Sequence, residues 1–94
     1  MPKFLVERRF HIGEDEMPDA SRKSKRLIIE HFPEITWEHS HVIVDDAGGV
    51  MTYCVYEAPS EEIVRRHGDQ LGLHDIESVR EIAGDVTPDD FPLD

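Results

Sequence analysis

The sequence predicts an α+β sandwich built in the order strand, helix, strand, strand, helix, strand. Stretches rich in β-branched and aromatic residues, or with two-residue alternation, mark the strands. Apolar residues at helical spacing mark two segments between them. Proline and glycine punctuate the boundaries.

The first strand is expected over residues 3–11. Phe4, Val6 and Phe10 share one side, with Arg8 interrupting them, while Leu5, Glu7, Arg9 and His11 share the other. A loop through Gly13-Glu14-Asp15-Glu16 leads to a helix from about Asp19 to Phe32, where Ala20, Ser24, Leu27, Ile28 and His31 recur on one side. Pro33 ends it, because proline has no N–H to give and its ring crowds the preceding turn. Residues 35–44 read as the second strand and 50–58 as the third, joined by a hairpin through Asp45-Asp46-Ala47-Gly48-Gly49. Pro59 closes the third strand. Ser60 is placed to cap a second helix whose first turn carries Glu61 and Glu62, where the helix dipole favours negative charge. That helix should run to about Leu71 and stop at Gly72. Ile76 to Ala83 reads as the fourth strand. Residues 84–94 form a polar tail whose one aromatic, Phe91, is suited to docking on the body or on a second subunit.

Two βαβ units with right-handed crossovers, joined by a hairpin, make an antiparallel four-stranded sheet with both helices on one face. This is the ferredoxin-like βαββαβ sandwich. Its second face is left bare, and 94 residues, one domain over 1–94, bury too little surface to be generously stable. A homodimer through the bare face is therefore expected.

Composition excludes several classes. Net charge is −11, with −1 on residues 1–44 and −10 on residues 45–94. Nucleic acid needs a basic footprint, and the one basic cluster, Arg22-Lys23 with Lys25-Arg26, reads as a solvated helix face. The single Cys54 rules out an intramolecular disulfide. Charges at Lys3, Glu7, Arg8 and Arg9 interrupt any signal-peptide core, and no apolar run approaches the roughly 20 residues that span a bilayer. No membrane partner is expected, and the cytoplasm is the expected compartment.

Histidine is the residue type of most chemical interest, with six in the chain beside 21 carboxylates. His39 and His41 lie two apart on a strand, so their imidazoles share a face and can converge on one ion; Trp37 and Ile43 are expected on the same side. The same pair also reads as filler of a half-buried face or dimer seam. His67 falls on the inward stripe of the second helix with Ile63, Val64 and Leu71, as a core residue or a ligand. His11 stands beside the acidic loop, His31 at a helix end and His74 in a loop next to Asp75. Glu7 is either a salt-bridged face residue or a carboxylate ligand. Cys54 reads first as a small buried hydrophobe.

Several stretches together resemble a family of small bacterial nickel-binding proteins of ferredoxin-like fold. They are Val6-Glu7-Arg8, Trp37-Glu38-His39-Ser40-His41, Tyr53-Cys54-Val55-Tyr56-Glu57-Ala58-Pro59, Arg66-His67, the Gly72-Leu73 turn, and Ile82 to Pro88. Ser40-His41 stands where that family often has Ser-Tyr, which adds an imidazole here. The resemblance implies a homodimer that binds nickel or another divalent transition metal, for sequestration or detoxification. The candidate ligands are His39, His41, His67, Glu7 and His11. The competing reading is a small dimeric enzyme, oxygenase- or isomerase-like, with a small molecule between sheet and helices and with Glu7, Cys54 and His67 as its acid-base and nucleophilic groups.

Overall fold

The computed structural model describes residues Met1–Asp94. Its elements are β1 (Lys3–Phe10), α1 (Met17–His31), β2 (Thr36–Val44), β3 (Val50–Glu57), α2 (Glu61–Leu71) and β4 (His74–Glu81), with short 3-10 turns at Glu14–Glu16 and Pro88–Asp90. The sheet order is β2-β3-β1-β4, and each neighbouring pair is antiparallel. The expected βαββαβ sandwich is the observed one. No helix is long and apolar enough to cross a membrane.

The two central strands set the layers. β1 turns Phe4, Val6, Arg8 and Phe10 inward, and β3 turns Val50, Thr52, Cys54 and Tyr56 inward, in strict alternation. Against them α1 places Met17, Ala20, Ser24 and Ile28, and α2 places Val64, His67, Gly68 and Leu71. One apolar cluster gathers Phe4, Val6, Ile28, Phe32, Ile35, Tyr56 and Val64; a second joins Phe10, Met17, Ala20, Val50 and Leu71. Removing this apolar surface from water is the main stabilising contribution. The other face of the sheet has no helix on it.

α1 begins two residues earlier than expected because Pro18 sits in its first turn. There a missing N–H is no loss, since the first N–H groups of a helix have no partner within it. β4 begins at His74 instead of Ile76, because His74 and Asp75 already pair with Phe10 and Arg9. His74 is thus a strand residue. The tail does not dock on its own body: Phe91 is 63% exposed, and the tail's local order is a capping box between Thr87 and Asp90.

Ser60 caps α2 as expected, its hydroxyl accepting from the Ile63 N–H. The exit from α2 is sharper. Gly72 and Leu73 both have positive φ, at 65° and 64°. For leucine the left-handed region brings Cβ against its own backbone, at a cost of about 1–2 kcal/mol. Leu73 is half exposed, so its replacement forfeits little burial. Leu73→Gly is expected to raise stability by about 0.5–1 kcal/mol, and Gly72→Ala to lower it by at least about 1 kcal/mol. Urea denaturation midpoints of the two variants against the parent check both signs.

Candidate functional site

β2 is an edge strand, and His39 and His41 stand on its exposed helix-free side. Their ring centroids are 5.4 Å apart with planes at 78°, an edge-on pair. Ile43 shares their side, pairing with Met51 as His41 pairs with Tyr53 and His39 with Val55. Trp37 does not. The β2–β3 register shifts between Trp37 and His39, where Glu38 is the extra residue, so Trp37 pairs with Tyr56 on the helix side. A bulge reverses the parity on which the two-residue rule depends. Trp37 instead packs against the core and donates its indole N–H to the Ser40 hydroxyl at 2.8 Å. The histidine pair is consequently wetter than its sequence neighbours suggest.

Glu7 points to the same helix-free face, but from β1. The row across the sheet reads His41, Tyr53, Glu7, Ser78. Two strand spacings, about 10 Å, separate the backbones of His41 and Glu7. Glu7 is also engaged already: the Tyr53 hydroxyl donates to one carboxylate oxygen at 3.1 Å and the Ser78 hydroxyl to the other at 3.3 Å. The hydrogen bond to Glu7 and the charge of its carboxylate raise the Tyr53 pKa.

His67 lies on the opposite side of the sheet from His39 and His41. It is fully buried on α2, edge-on to Phe32 and Tyr56. Its Nε2 is 3.2 Å from the Ser24 hydroxyl and 3.4 Å from the Ser24 carbonyl. A carbonyl only accepts, which assigns the proton to Nε2 and leaves Nδ1, which has no partner, a bare lone pair. Burial, helped by the Arg8 charge, lowers its pKa to about 4, so the ring is neutral at pH 7. His11 is exposed and pairs through Nε2 with Asp75 at 3.0 Å, rather than with the acidic loop. No three His, Cys, Asp or Glu side chains of one chain gather where a single ion could be held. The structure thus unites His39 with His41, and separates both from Glu7, His67 and His11. The enzyme reading's trio is divided as well, since Glu7 faces away from Cys54 and His67.

Two residues gain importance only in three dimensions. His74 donates its Nδ1–H to the Gly72 carbonyl at 2.6 Å, since a carbonyl only accepts, and its buried Nε2 has no partner. Burial again lowers its pKa. Arg8 is the second. Only 2% exposed, it donates through Nη1 to the Tyr56 hydroxyl at 2.8 Å, lies 3.8 Å from Cys54 Sγ, and has its guanidinium carbon 5.2 Å from the Tyr56 ring centroid. Its Nε and Nη2 are buried without partners. The interruption of an apolar strand by a cation was the sequence signal for it.

The sequence model of a family described as nickel responsive protein SCO4226-like matches residues 4–82. Among solved structures, the crystal structure of SCO4226 from Streptomyces coelicolor A3(2) is similar, at 23% identity and a TM-score of 0.66, over 89% of this chain and 99% of that one. That likeness shows a common fold. The comparison with curated proteins gives no match.

The His67 environment makes stability pH-dependent in a defined direction. Its folded pKa lies below the free value of 6.5, so between 6.5 and about 4 the unfolded chain takes up a proton that the folded chain refuses. Stability from this group is complete above 6.5 and is lost as pH falls; from pH 6.5 to about 5 the loss is roughly 2 kcal/mol. His74 acts with the same sign. Urea unfolding across that range is expected to show the decline in the parent and a clearly flatter dependence in His67→Gln; equal slopes would refute the assignment. Cys54, buried and 3.5 Å from the Thr52 hydroxyl, is expected to react with thiol reagents at least about tenfold more slowly folded than in urea.

Proposed function

The chain belongs to the nickel-responsive SCO4226-like family, and from that membership we propose that it binds nickel or a related divalent transition metal and acts as a homodimer in sequestration or detoxification. The observation that carries the reading is the edge-on pair of His39 and His41 on an uncovered sheet face. Imidazole suits nickel, cobalt, copper and zinc alike; intrinsic affinity favours copper, so a preference for nickel has to come from geometry and metal supply. The remainder of the ligand shell then comes from water and from an oxygen donor of a second copy, because Glu7 of the same chain stands two strands away.

A second copy on the helix-free face accounts for several features together. Leu5 and Ile43 are exposed there, beside Met51 and Val55, on a sheet that has helices on one side only. Pairing of two such faces would bring two histidine pairs to one seam and draw their donors out of bulk water. The net charge of −11 favours cations and disfavours nucleic acid as partners. A cytoplasmic place for the protein fits its single, unpaired cysteine.

Nickel calorimetry on protein lacking a histidine tag tests the site. His39→Ala and His41→Ala are each expected to weaken binding at least about tenfold, and the double change to add little more, since the second loss acts on a broken site. His31→Ala is expected to change nothing. Affinity should fall as pH is lowered, because protons compete for the imidazole lone pairs. Sedimentation at micromolar concentration is expected to show a dimer. A double variant that binds as tightly as the parent would move the site away from β2.

A further inference from the structure

Two exposed surfaces of opposite charge stand apart on this chain, and neither has a partner within it. The first is on α1. Arg22, Lys25, Arg26 and Ile29 recur at three- and four-residue spacing, which makes one stripe along a helix. All four are exposed, Ile29 at 66%, and with Glu30 they line one open depression. Arg22 is held by Asp19 at 2.8 Å, but Lys25 and Arg26 make no ion pair. This stripe belongs to the one basic cluster of a chain with net charge −11.

The second surface is the tail. Ile82 donates its N–H to the Lys3 carbonyl, the last backbone hydrogen bond that ties the tail to the sheet. Every residue from Ala83 to Asp94 is exposed. The hydrogen bonds of this segment are internal, between Thr87 and Asp90 and between Pro88 and Phe91. Asp85, Asp89 and Asp94 have no ion-pair partner, and no basic residue lies among them. Interleaved with the acids, Val86, Phe91 and Leu93 are 76%, 63% and 95% exposed. Acidic and apolar groups left in water on one segment complement a helix face that is basic and apolar.

We infer that the tail of one copy docks on the α1 stripe of a second copy. Asp89 and Asp94 meet Lys25 and Arg26, while Phe91 and Leu93 cover Ile29 and the apolar stems of the basic side chains. The inference rests on the homodimer proposed above, with the helix-free faces together. In that arrangement the partner's helices lie on its outer side. Stacked sheets are about 10 Å apart and a helix layer adds about 10 Å. The twelve residues 83–94 extend to roughly 40 Å, enough to pass the partner's sheet and reach α1. Two chains this acidic repel each other at long range, and the α1 stripe is where an acidic segment is attracted instead. Tethering through the sheets raises the local concentration of the tail to about millimolar, so a weak contact is occupied.

The test mixes two whole-chain proteins at micromolar concentration under mild oxidation. Both carry Cys54→Ala; one has Ile29→Cys and the other Leu93→Cys. A disulfide between the two chains is expected to form at least about fivefold faster than when Glu62→Cys, exposed on α2, replaces Ile29→Cys. Salt at about 0.5 M should remove much of that advantage. Lys25→Asp with Arg26→Asp should slow the cross-link at least about fivefold, and Asp89→Lys with Asp94→Lys in the tail-bearing chain should restore it. These charged positions are all exposed, so the variants keep the fold. Equal rates at Ile29 and Glu62, or a charge exchange that restores nothing, would overturn the inference. So would a chain with both Ile29→Cys and Leu93→Cys that closes on itself as a monomer while the mixture stays unlinked, since the tail would then belong to its own copy. Sedimentation of the parent separates the two readings. A dimeric parent without the cross-link refutes the tail contact alone, and a monomeric parent refutes the homodimer and the tail contact with it.

Discussion

The alternation of the central pair β1–β3 is the constraint from which the remaining structure follows. Each of these strands sends every second side chain to the helices and the others away from them. Because they are hydrogen-bonded to each other and flanked by β2 and β4, their parity is imposed on the whole sheet. The register cannot slip by one residue without exchanging Val6 and Cys54 for Glu7 and Tyr53 in the core. Two bulges, at Glu38 in β2 and at Glu77 in β4, are the places where the outer strands depart from that parity.

This sorting divides the chemistry of the molecule in two. The helix-free face carries carboxylate, phenol and paired imidazoles, all reachable by solvent or by a second copy. The helix side carries a guanidinium, a neutral imidazole and hydroxyls, sealed among apolar groups. A four-stranded sheet is a single layer of backbone, yet it keeps His67 and His39 from ever meeting at one ion.

The helix side also shows how polar groups are retained in a small core. Ser24 of α1 meets His67 of α2, and His67 in turn touches the rings of Phe32 and Tyr56 edge-on. Tyr56 accepts from Arg8. The chain of contacts links both helices to both central strands. A satisfied hydrogen bond inside such a layer contributes on the order of 1 kcal/mol, while an unsatisfied donor loses more than that. The network thus specifies how the helices sit on the sheet more than it adds to the total stability.

Element order, the helix stops at Pro33 and Gly72, the Ser60 cap and the inward faces of β1 and β3 were all legible in the sequence, because each depends on residues within a few positions of one another. So was the pairing of His39 with His41, which needs only a strand. Tertiary structure decided the rest. Trp37 changed sides because one extra residue in a neighbouring ladder reverses the alternation, and a single strand's sequence holds no record of its partner's register. Glu7 proved distant from the histidines because β3 lies between β1 and β2, an order set by the crossovers. Arg8 read as an interruption of an apolar strand, and its significance is that no carboxylate comes near it. The absence of a partner is a property of everything that packs around a side chain, and only the folded chain can show it.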